Sequence, residues 1–319
     1  MSPRETVLVV PREDRGARLD RFVARALGVS RTELKRWIEG GYVTVEGAAR
    51  APSARLREGD RVAVIASPSR MSEAFPEPNV VFEVLHVDDE VVVVMKPAGL
   101  VVHPGHGHKS GTLVNGLLGL GLFRANEDVA SDDVDWHLRP GIVHRLDKGT
   151  SGVMVVARTP HARETLKAQF QSHSIERSYE AIAVGRVQSG TFATLHGRHP
   201  HDRLRFTTRV SKGKRAVTHV RAIELFDGAT HVECTLETGR THQIRVHLAE
   251  NATPVLGDPL YGSATPSTAA VDRAAKHLGH QALHARVLGF SHPRTGQRLR
   301  FEAPAPADFV EALLALRRG

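Results

Sequence analysis

The stretch GIVHRLDKGTSGVMVVART, residues 141–159, sets one carboxylate, Asp147, between two cations, Arg145 and Lys148, in a turn of small residues. An apolar run, Val153-Met154-Val155-Val156, follows at once. A carboxylate so placed is either a nucleophile or proton acceptor, or one member of an ordinary surface ion cluster. The three charges alone do not decide between these.

Other chemistries can be set aside on spacing. The chain has no G-x-x-x-x-G-K-[ST], and Gly116, Gly119 and Gly121 do not form a dinucleotide fingerprint. G-x-S-x-G is also missing. Nineteen histidines invite a metal reading, with His103, His106 and His108 clustered and His242 and His247 five apart. Helical metal pairs sit three or four apart, and no acid is spaced to complete a site, so no metal is expected.

The elements that must position Asp147 follow from periodicity. Leu19, Phe22, Val23, Ala26 and Leu27 predict a helix over 18–27. Ser30 and Glu33 have the form of a capping box opening a second helix that buries Leu34, Trp37 and Ile38. Arg18 and Arg21 line the exposed side of the first, Arg31 and Lys35 that of the second, an arrangement suited to phosphate contacts. Short strands at Tyr42–Val45 and Arg61–Ile65 complete a small unit over residues 1–67. Residues 68–79, with Pro68, Pro76 and Pro78, read as a linker to a larger unit, 80–319.

In that unit strands are predicted at Val80–His86, Val91–Met95, Ile142–His144, Gly152–Ala157, Tyr179–Val184, Val217–Leu225 and His231–Thr238. Helices are predicted at Thr112–Leu120, Pro160–Gln171, Thr241–Glu250 and Ala307–Arg317, with residues 124–137 and 264–276 as the least structured insertions. Successive strands with occasional helices argue for an α+β fold on a largely antiparallel or mixed sheet.

The chain of 319 residues has 41% hydrophobic and 24% charged residues and a formal charge of +8. No apolar run approaches membrane-spanning length, the N-terminus lacks the apolar core of a secretory signal, and Cys234 has no partner cysteine, so a cytoplasmic protein is expected. Residues 1–70 carry 14 Lys+Arg against 9 Asp+Glu, and residues 198–221 carry eight against one, which leaves a near-neutral body. Two concentrated basic segments imply a polyanionic partner gripped at two places. In the second, RHPHDRLRFTTRVSKGKRAVTHVR, the expectation is a loop whose Arg203, Arg205 and Lys214 meet the polyanion.

RLDRFVARALGVSRTELKRWIEGGYVTVEG and LREGDRV resemble the S4 RNA-binding module. GIVHRLDKGTSGVMVVART, together with MKPAGLVVHPG, RSYEAIAVG, LETGRTHQIRVHLA, GDPLYG, QALHA and FEAPAP, resembles the RluA family of pseudouridine synthases from residue 80 onward. RHPHDRLRFTTRV and GKRAVTHV are similar to one subgroup of that family. Gly149 departs from it, since many relatives carry an acid there; the departure bears on loop contacts.

The resemblance implies the pseudouridine synthase fold behind an S4-like unit, and isomerisation of uridine in large-subunit ribosomal RNA. No cofactor is implied, because detaching uracil from C1′ and rejoining it through C5 needs neither redox chemistry nor group transfer. It assigns Asp147 as the acting carboxylate, either attacking C1′ or removing a C2′ proton, with both routes open. It pairs Arg245 with that acid, where a guanidinium favours the ionised form, and stacks Tyr179 on the uracil. A helical base must be extruded to be reached. Arg145 would fill the gap left in the RNA or contact a phosphate. A monomer is the default. A silent RNA-binding factor and a glycosidase remain as competitors, the latter wanting a second carboxylate as acid.

Overall fold

The computed structural model describes residues 5–27, 31–65, 74–105, 108, 110–122, 141–262 and 268–319. They fall into two compact units, Met1–Glu73 and Ala74–Gly319.

The first unit runs β1 (Glu5–Val9), α1 (Leu19–Leu27), α2 (Arg31–Glu39), β2 (Val43–Val45), β3 (Ala48–Ala49) and β4 (Arg61–Ile65). Its four strands lie in the order β1-β4-β2-β3. Leu19, Phe22 and Val23 from α1 and Leu34 and Ile38 from α2 bury against Val43, Val62 and Val64. That is the three- and four-residue apolar spacing meeting one sheet face. β1 was not anticipated: it is an edge strand whose Val7 and Val9 are exposed, so the buried-exposed alternation that marks a strand is weak. Ser30, the anticipated cap of α2, lies outside the described residues.

The second unit begins with β5 (Glu83–Val87), β6 (Val91–Lys96) and α3 (Leu113–Gly119), followed by β7 (Ser151–Ala157), α4 (Pro160–Gln171) and β8 (Glu176–Val184). Next come β9 (Gly190–Arg198), β10 (Phe206–Thr207), β11 (Lys214–Phe226), β12 (Ala229–Leu236) and α5 (Gln243–Glu250). The chain closes with α6 (Ala269–Leu278), β13 (Leu283–Ser291), β14 (Arg298–Glu302) and α7 (Ala307–Arg317). One ten-stranded sheet runs β10-β9-β11-β12-β8-β13-β7-β6-β5, with β14 paired to β13. The β13–β7 pair is parallel and the other pairs are antiparallel, so the sheet is mixed, as expected.

Both faces of the central strands are covered. Val92 and Val94 pack with α3, while Val91 and Val93 pack with α4 on the other side. Coverage on two faces explains why β6 and β7 read as unbroken apolar runs. Caps fix two helices. Thr112 and Asn115 form a reciprocal capping box on α3, and the Thr159 hydroxyl accepts the Ala162 N–H at 3.0 Å to open α4. In the proline-rich stretch, the Phe75 carbonyl accepts from Asn115 and the Glu77 carboxylate from the Gly111 N–H.

Three expectations are corrected. Ile142–His144 is no strand: it lies beside β7 but makes one bridge, Ile142 to Val156, because the Val155 N–H goes to the His144 ring instead of a backbone carbonyl, while β13 pairs with β7 at Ser151 and Gly152. Residues 264–276, expected among the least structured, hold the start of α6 at Ala269, with Thr268 as its cap and Ala270, Val271 and Ala274 buried; 264–267 lie outside the described residues, as do 124–137. The basic segment 198–221 is not one loop. Arg198 ends β9 and residues 214–221 belong to β11, where Arg215 and Arg221 project outward from a strand whose Ala216, Val217 and Val220 are buried.

Candidate active site

Asp147 sits in the turn before β7, where its carbonyl accepts the Thr150 N–H at 3.0 Å. Leu146 is buried beneath it. His144 accepts the Val155 N–H through Nε2 and stacks on Phe170, and burial pushes its imidazole down to about 3, so it remains neutral. The return into β7 requires Gly152. Its φ is +126°, and a Cβ there would lie 2.3 Å from the Ala285 carbonyl oxygen.

The end of β6 braces the same turn. Lys96 is fully buried, and its Nζ donates to the carbonyls of Pro97 at 2.8 Å, Leu100 at 2.9 Å and Lys148 at 3.2 Å. Burial pushes the ammonium down to about 7, opposed by the charge of Asp147. Three carbonyls for three N–H donors favour the charged form as well. Lys96→Met is expected to leave those carbonyls unsatisfied and cost about 3 kcal/mol of stability. Urea unfolding of the variant reads this directly, and an unchanged midpoint contradicts it.

The partner of Asp147 comes from α5. The loop before it is fixed by buried Gln243, which donates to the Val217 carbonyl and Thr218 hydroxyl, both at 3.0 Å, and accepts from Thr238 and the Arg240 N–H. Two residues on, Arg245 NH1 donates to Asp147 Oδ2 at 2.8 Å. The other edge of the guanidinium is bidentate with Asp258, Nε to Oδ2 at 2.7 Å and NH2 to Oδ1 at 2.9 Å. Burial works against the Arg245 charge, but Asp258 and then Asp147 outweigh it and raise the group above its ordinary value. Burial likewise opposes ionisation of Asp258, but Arg245 and the N–H groups of Tyr261 and Leu260 hold that carboxyl below its ordinary range.

Asp147 lines a cavity of about 560 Å³ together with Tyr179 from β8. The hydroxyl of Tyr179 is pushed up by burial, with Asp147 adding to the shift. Arg145, Lys167, Arg177, Arg240 and Arg245 also line it, and Asp147 is its one acid among the described residues. A second cavity of about 1200 Å³ also borders Asp147, walled by Phe82, Met95, Pro97, Pro259 and Leu260. Arg145 is exposed and borders both. A concave site with one carboxylate under five cations suits a polyanion whose reacting centre carries no charge of its own.

The structure thus brings Asp147, Tyr179, Arg245 and Arg145 together. At Gly149 a Cβ would lie 2.3 Å from Oε1 of Gln281, whose Nε2 donates to the Thr150 hydroxyl at 3.1 Å. In the basic segment Arg203 and Lys214 are exposed, while Arg205 is half-buried with its guanidinium 5.3 Å from the Tyr261 ring centre. In the first unit Arg21 is exposed, Lys35 is 3.5 Å from Glu39, and Arg18 is bidentate with Asp20. The side chain of Arg31 and residue His106 lie outside the described residues. No cluster among the described residues could hold a metal ion, and none of their helices is long and apolar enough to cross a membrane.

Asp258, Tyr261 and Lys96 were not singled out by chemistry in the sequence, and His242 was weighed there only as a metal ligand. Their signal lay in the quoted segments GDPLYG, TGRTHQIR and MKPAG, which were read as markers of resemblance only.

The chain is similar to known proteins over most of its length. Residues 90–250 match the family described as RNA pseudouridylate synthase, and residues 17–62 match the S4 domain. Ribosomal large subunit pseudouridine synthase D of Neisseria meningitidis is 44% identical over 315 residues, covering 97% of this chain and 81% of that protein. The protein of the same name from Xanthomonas campestris is also 44% identical, covering 97% of this chain and 92% of its own. Among solved structures, Human RNA Pseudouridylate Synthase Domain Containing 4 is similar with a TM-score of 0.54 and 26% identity, over 74% of this chain and 93% of that one.

Proposed function

The chain belongs to the RNA pseudouridylate synthase family and is an isomerase, and from that premise we propose that it converts uridines of large-subunit ribosomal RNA to pseudouridine, with Asp147 acting on an extruded nucleotide. The observation that carries this is the one carboxylate that lines the 560 Å³ cavity among the described residues, hydrogen-bonded by Arg245 at 2.8 Å and facing the same space as Tyr179. The names of its relatives supply the substrate class.

The reaction breaks the N1–C1′ bond and forms a C5–C1′ bond, with the C5 proton lost and one proton regained on the base. Asp147 either adds to C1′ or takes the C2′ proton as uracil departs. Arg245 balances its charge while leaving Oδ1 without a hydrogen bond from the guanidinium. Tyr179 offers a ring face for the detached base. Neither C1′ nor C5 can reach this cavity from within a helix, so the nucleotide swings out, and Arg145 at the rim fills the vacated stack or holds a phosphate.

A glycosidase would need a second carboxyl group as acid. One candidate is Asp258, joined to Asp147 through Arg245, but its side chain has no exposure and its oxygens accept from Arg245 and two backbone N–H groups. It cannot deliver a proton to a leaving base. Incubating the protein with ribosomal RNA and scoring pseudouridine against free uracil separates the readings. Pseudouridine without uracil is expected; free uracil, or neither product, overturns the proposal.

Binding should weaken steeply with salt, by roughly 0.7–0.9 in the log–log slope per phosphate contact. A double Arg203→Ala, Lys214→Ala variant is expected to flatten that slope by about 1.5. Filter binding across a salt series measures it, and an unaltered slope removes the basic segment from the interface.

A further inference from the structure

The first helical turn after TGRT holds a residue with no part yet in the chemistry. His242 precedes α5 in the left-handed region, with φ 60° and ψ 19°. Its imidazole is inserted between two things of opposite kind. Nδ1 is 2.8 Å from the Tyr261 hydroxyl, and Nε2 is 3.7 Å from Oδ1 of Asp147, the oxygen that the Arg245 guanidinium does not hold. The ring meets Tyr261 and Phe206 edge-on, with centroids 5.5 and 5.7 Å away.

The hydrogen-bond pattern fixes where the ring proton sits. The Tyr261 oxygen accepts the Phe206 N–H at 2.8 Å, so its lone pairs are partly engaged. Among the described residues its own hydrogen has one acceptor within reach, Nδ1 of His242. Tyr261 therefore donates, Nδ1 accepts, and a neutral His242 carries its hydrogen on Nε2. The reverse arrangement would leave the buried Tyr261 hydrogen unsatisfied. Burial pushes His242 below its ordinary range, Asp147 opposes that, and Arg245 and Arg145 reinforce it while Asp258 works against them, so the neutral form prevails at neutral pH.

We propose that His242 is a positioning residue for Asp147, its Nε2–H aimed by Tyr261 at the carboxylate oxygen left free by Arg245. This rests on Asp147 being the reacting acid. At 3.7 Å the contact is longer than a hydrogen bond. Contacts of this kind are often long before substrate arrives and shorten when the site closes around it. With both donors engaged the carboxylate is held at two corners, and one lone pair of Oδ1 is directed at the sugar. The support for this geometry runs back through Tyr261 to Phe206 in the basic segment, so the segment that meets RNA also sets the tautomer beside the reacting oxygen.

Two readouts test it, one of which needs no activity. In the full chain labelled with ¹⁵N-histidine, the resonances lost in His242→Asn identify this ring. Asparagine tolerates the left-handed backbone but is too short to reach Asp147 as Nε2 does. A protonated Nε2 and bare Nδ1 are expected, moving toward a mixture in Tyr261→Phe; a protonated Nδ1 overturns the proposal. In single turnovers at saturating RNA, His242→Asn should slow isomerisation about 10- to 100-fold, the range for a hydrogen bond to a charged group, with RNA affinity unchanged. His242→Gln, whose amide reaches farther, should recover part of that loss. A rate for His242→Asn equal to the unmutated protein's overturns the proposal, as does a loss confined to affinity. Should His242→Asn fail to fold, the Tyr261→Phe spectrum and rate decide. Failure of Asp147 as the acid would show instead as an active Asp147→Asn protein, with the His242 tautomer unaffected.

Discussion

Asp147→Asn is expected to lower the single-turnover rate of pseudouridine formation by at least about four orders of magnitude while leaving RNA affinity intact. The reason is local. Asparagine keeps the shape of the side chain and can still accept from Arg245 NH1, so the turn bounded by Leu146 and Thr150 need not move. What vanishes is the anionic oxygen, and neither route to the product works without it. An amide neither adds to C1′ nor removes a C2′ proton at a useful rate. Among the described residues no other acid lines that cavity, so no neighbour can take over. On the proposed reading the cations of the rim and the basic segment carry binding, so a filter-binding isotherm should superimpose on that of the unmutated protein. A variant that turns over normally would place the chemistry elsewhere.

Arg245→Met is expected to abolish activity and destabilise the fold by about 3–5 kcal/mol, the cost of breaking a buried ion pair from one side. The Asp258 side chain is fully buried and the Arg245 side chain is 6% exposed. Without the guanidinium, Asp258 keeps only the Leu260 and Tyr261 N–H donors for a charge that burial penalises. The pH dependence has a definite sign. Asp258 is held below its ordinary range when folded, so its contribution is present at neutral pH and is lost as pH falls through that depressed value. The deficit of Arg245→Met should therefore be largest above about pH 5 and narrow below about pH 4, where the unpaired carboxyl protonates. Adding Asp258→Asn should restore most of the stability, since both charges are then gone, without restoring activity. Chemical denaturation at pH 7 and pH 4 checks the pattern, and a deficit independent of pH contradicts it.

Much of this arrangement was legible in the sequence, for physical reasons that differ by element. The bounds of α4 and α7 follow from local chemistry: Thr159 at the N-cap and proline at the first position of α4, and Asp308 and Arg317 in the first and last turns of α7. The apolar runs of β6 and β7 announced strands because both faces are covered. β9 was missed because GTFATLHGR offers only Phe192 and Leu195 as large apolar residues, too few to set a period of two. α6 was missed because two of its four buried residues, Ala270 and Ala274, carry little hydrophobic signal, which leaves Val271 and Leu278 alone to mark the face.

At the site, Asp147 and Arg245 were tied together by resemblance across 98 positions, a separation no periodicity could bridge. Asp258 shows the limit of residue-by-residue reading. Thirteen residues beyond Arg245, it looks in sequence like any acid before a proline. Only the fold reveals that it fills the other edge of the same guanidinium. The roles of Lys96 and His242 depend on where carbonyls and a phenol hydroxyl lie in space, which the types of neighbouring residues do not encode.

The most direct test of the central claim is a structure of the Asp147→Asn protein bound to a ribosomal RNA hairpin that the active protein modifies. The uridine should lie outside the RNA stack with its ring on Tyr179, and its C1′ should approach the side chain at position 147 to about 3.5 Å. A uridine still stacked in the hairpin, or seated with its ribose turned away from position 147, would contradict the account.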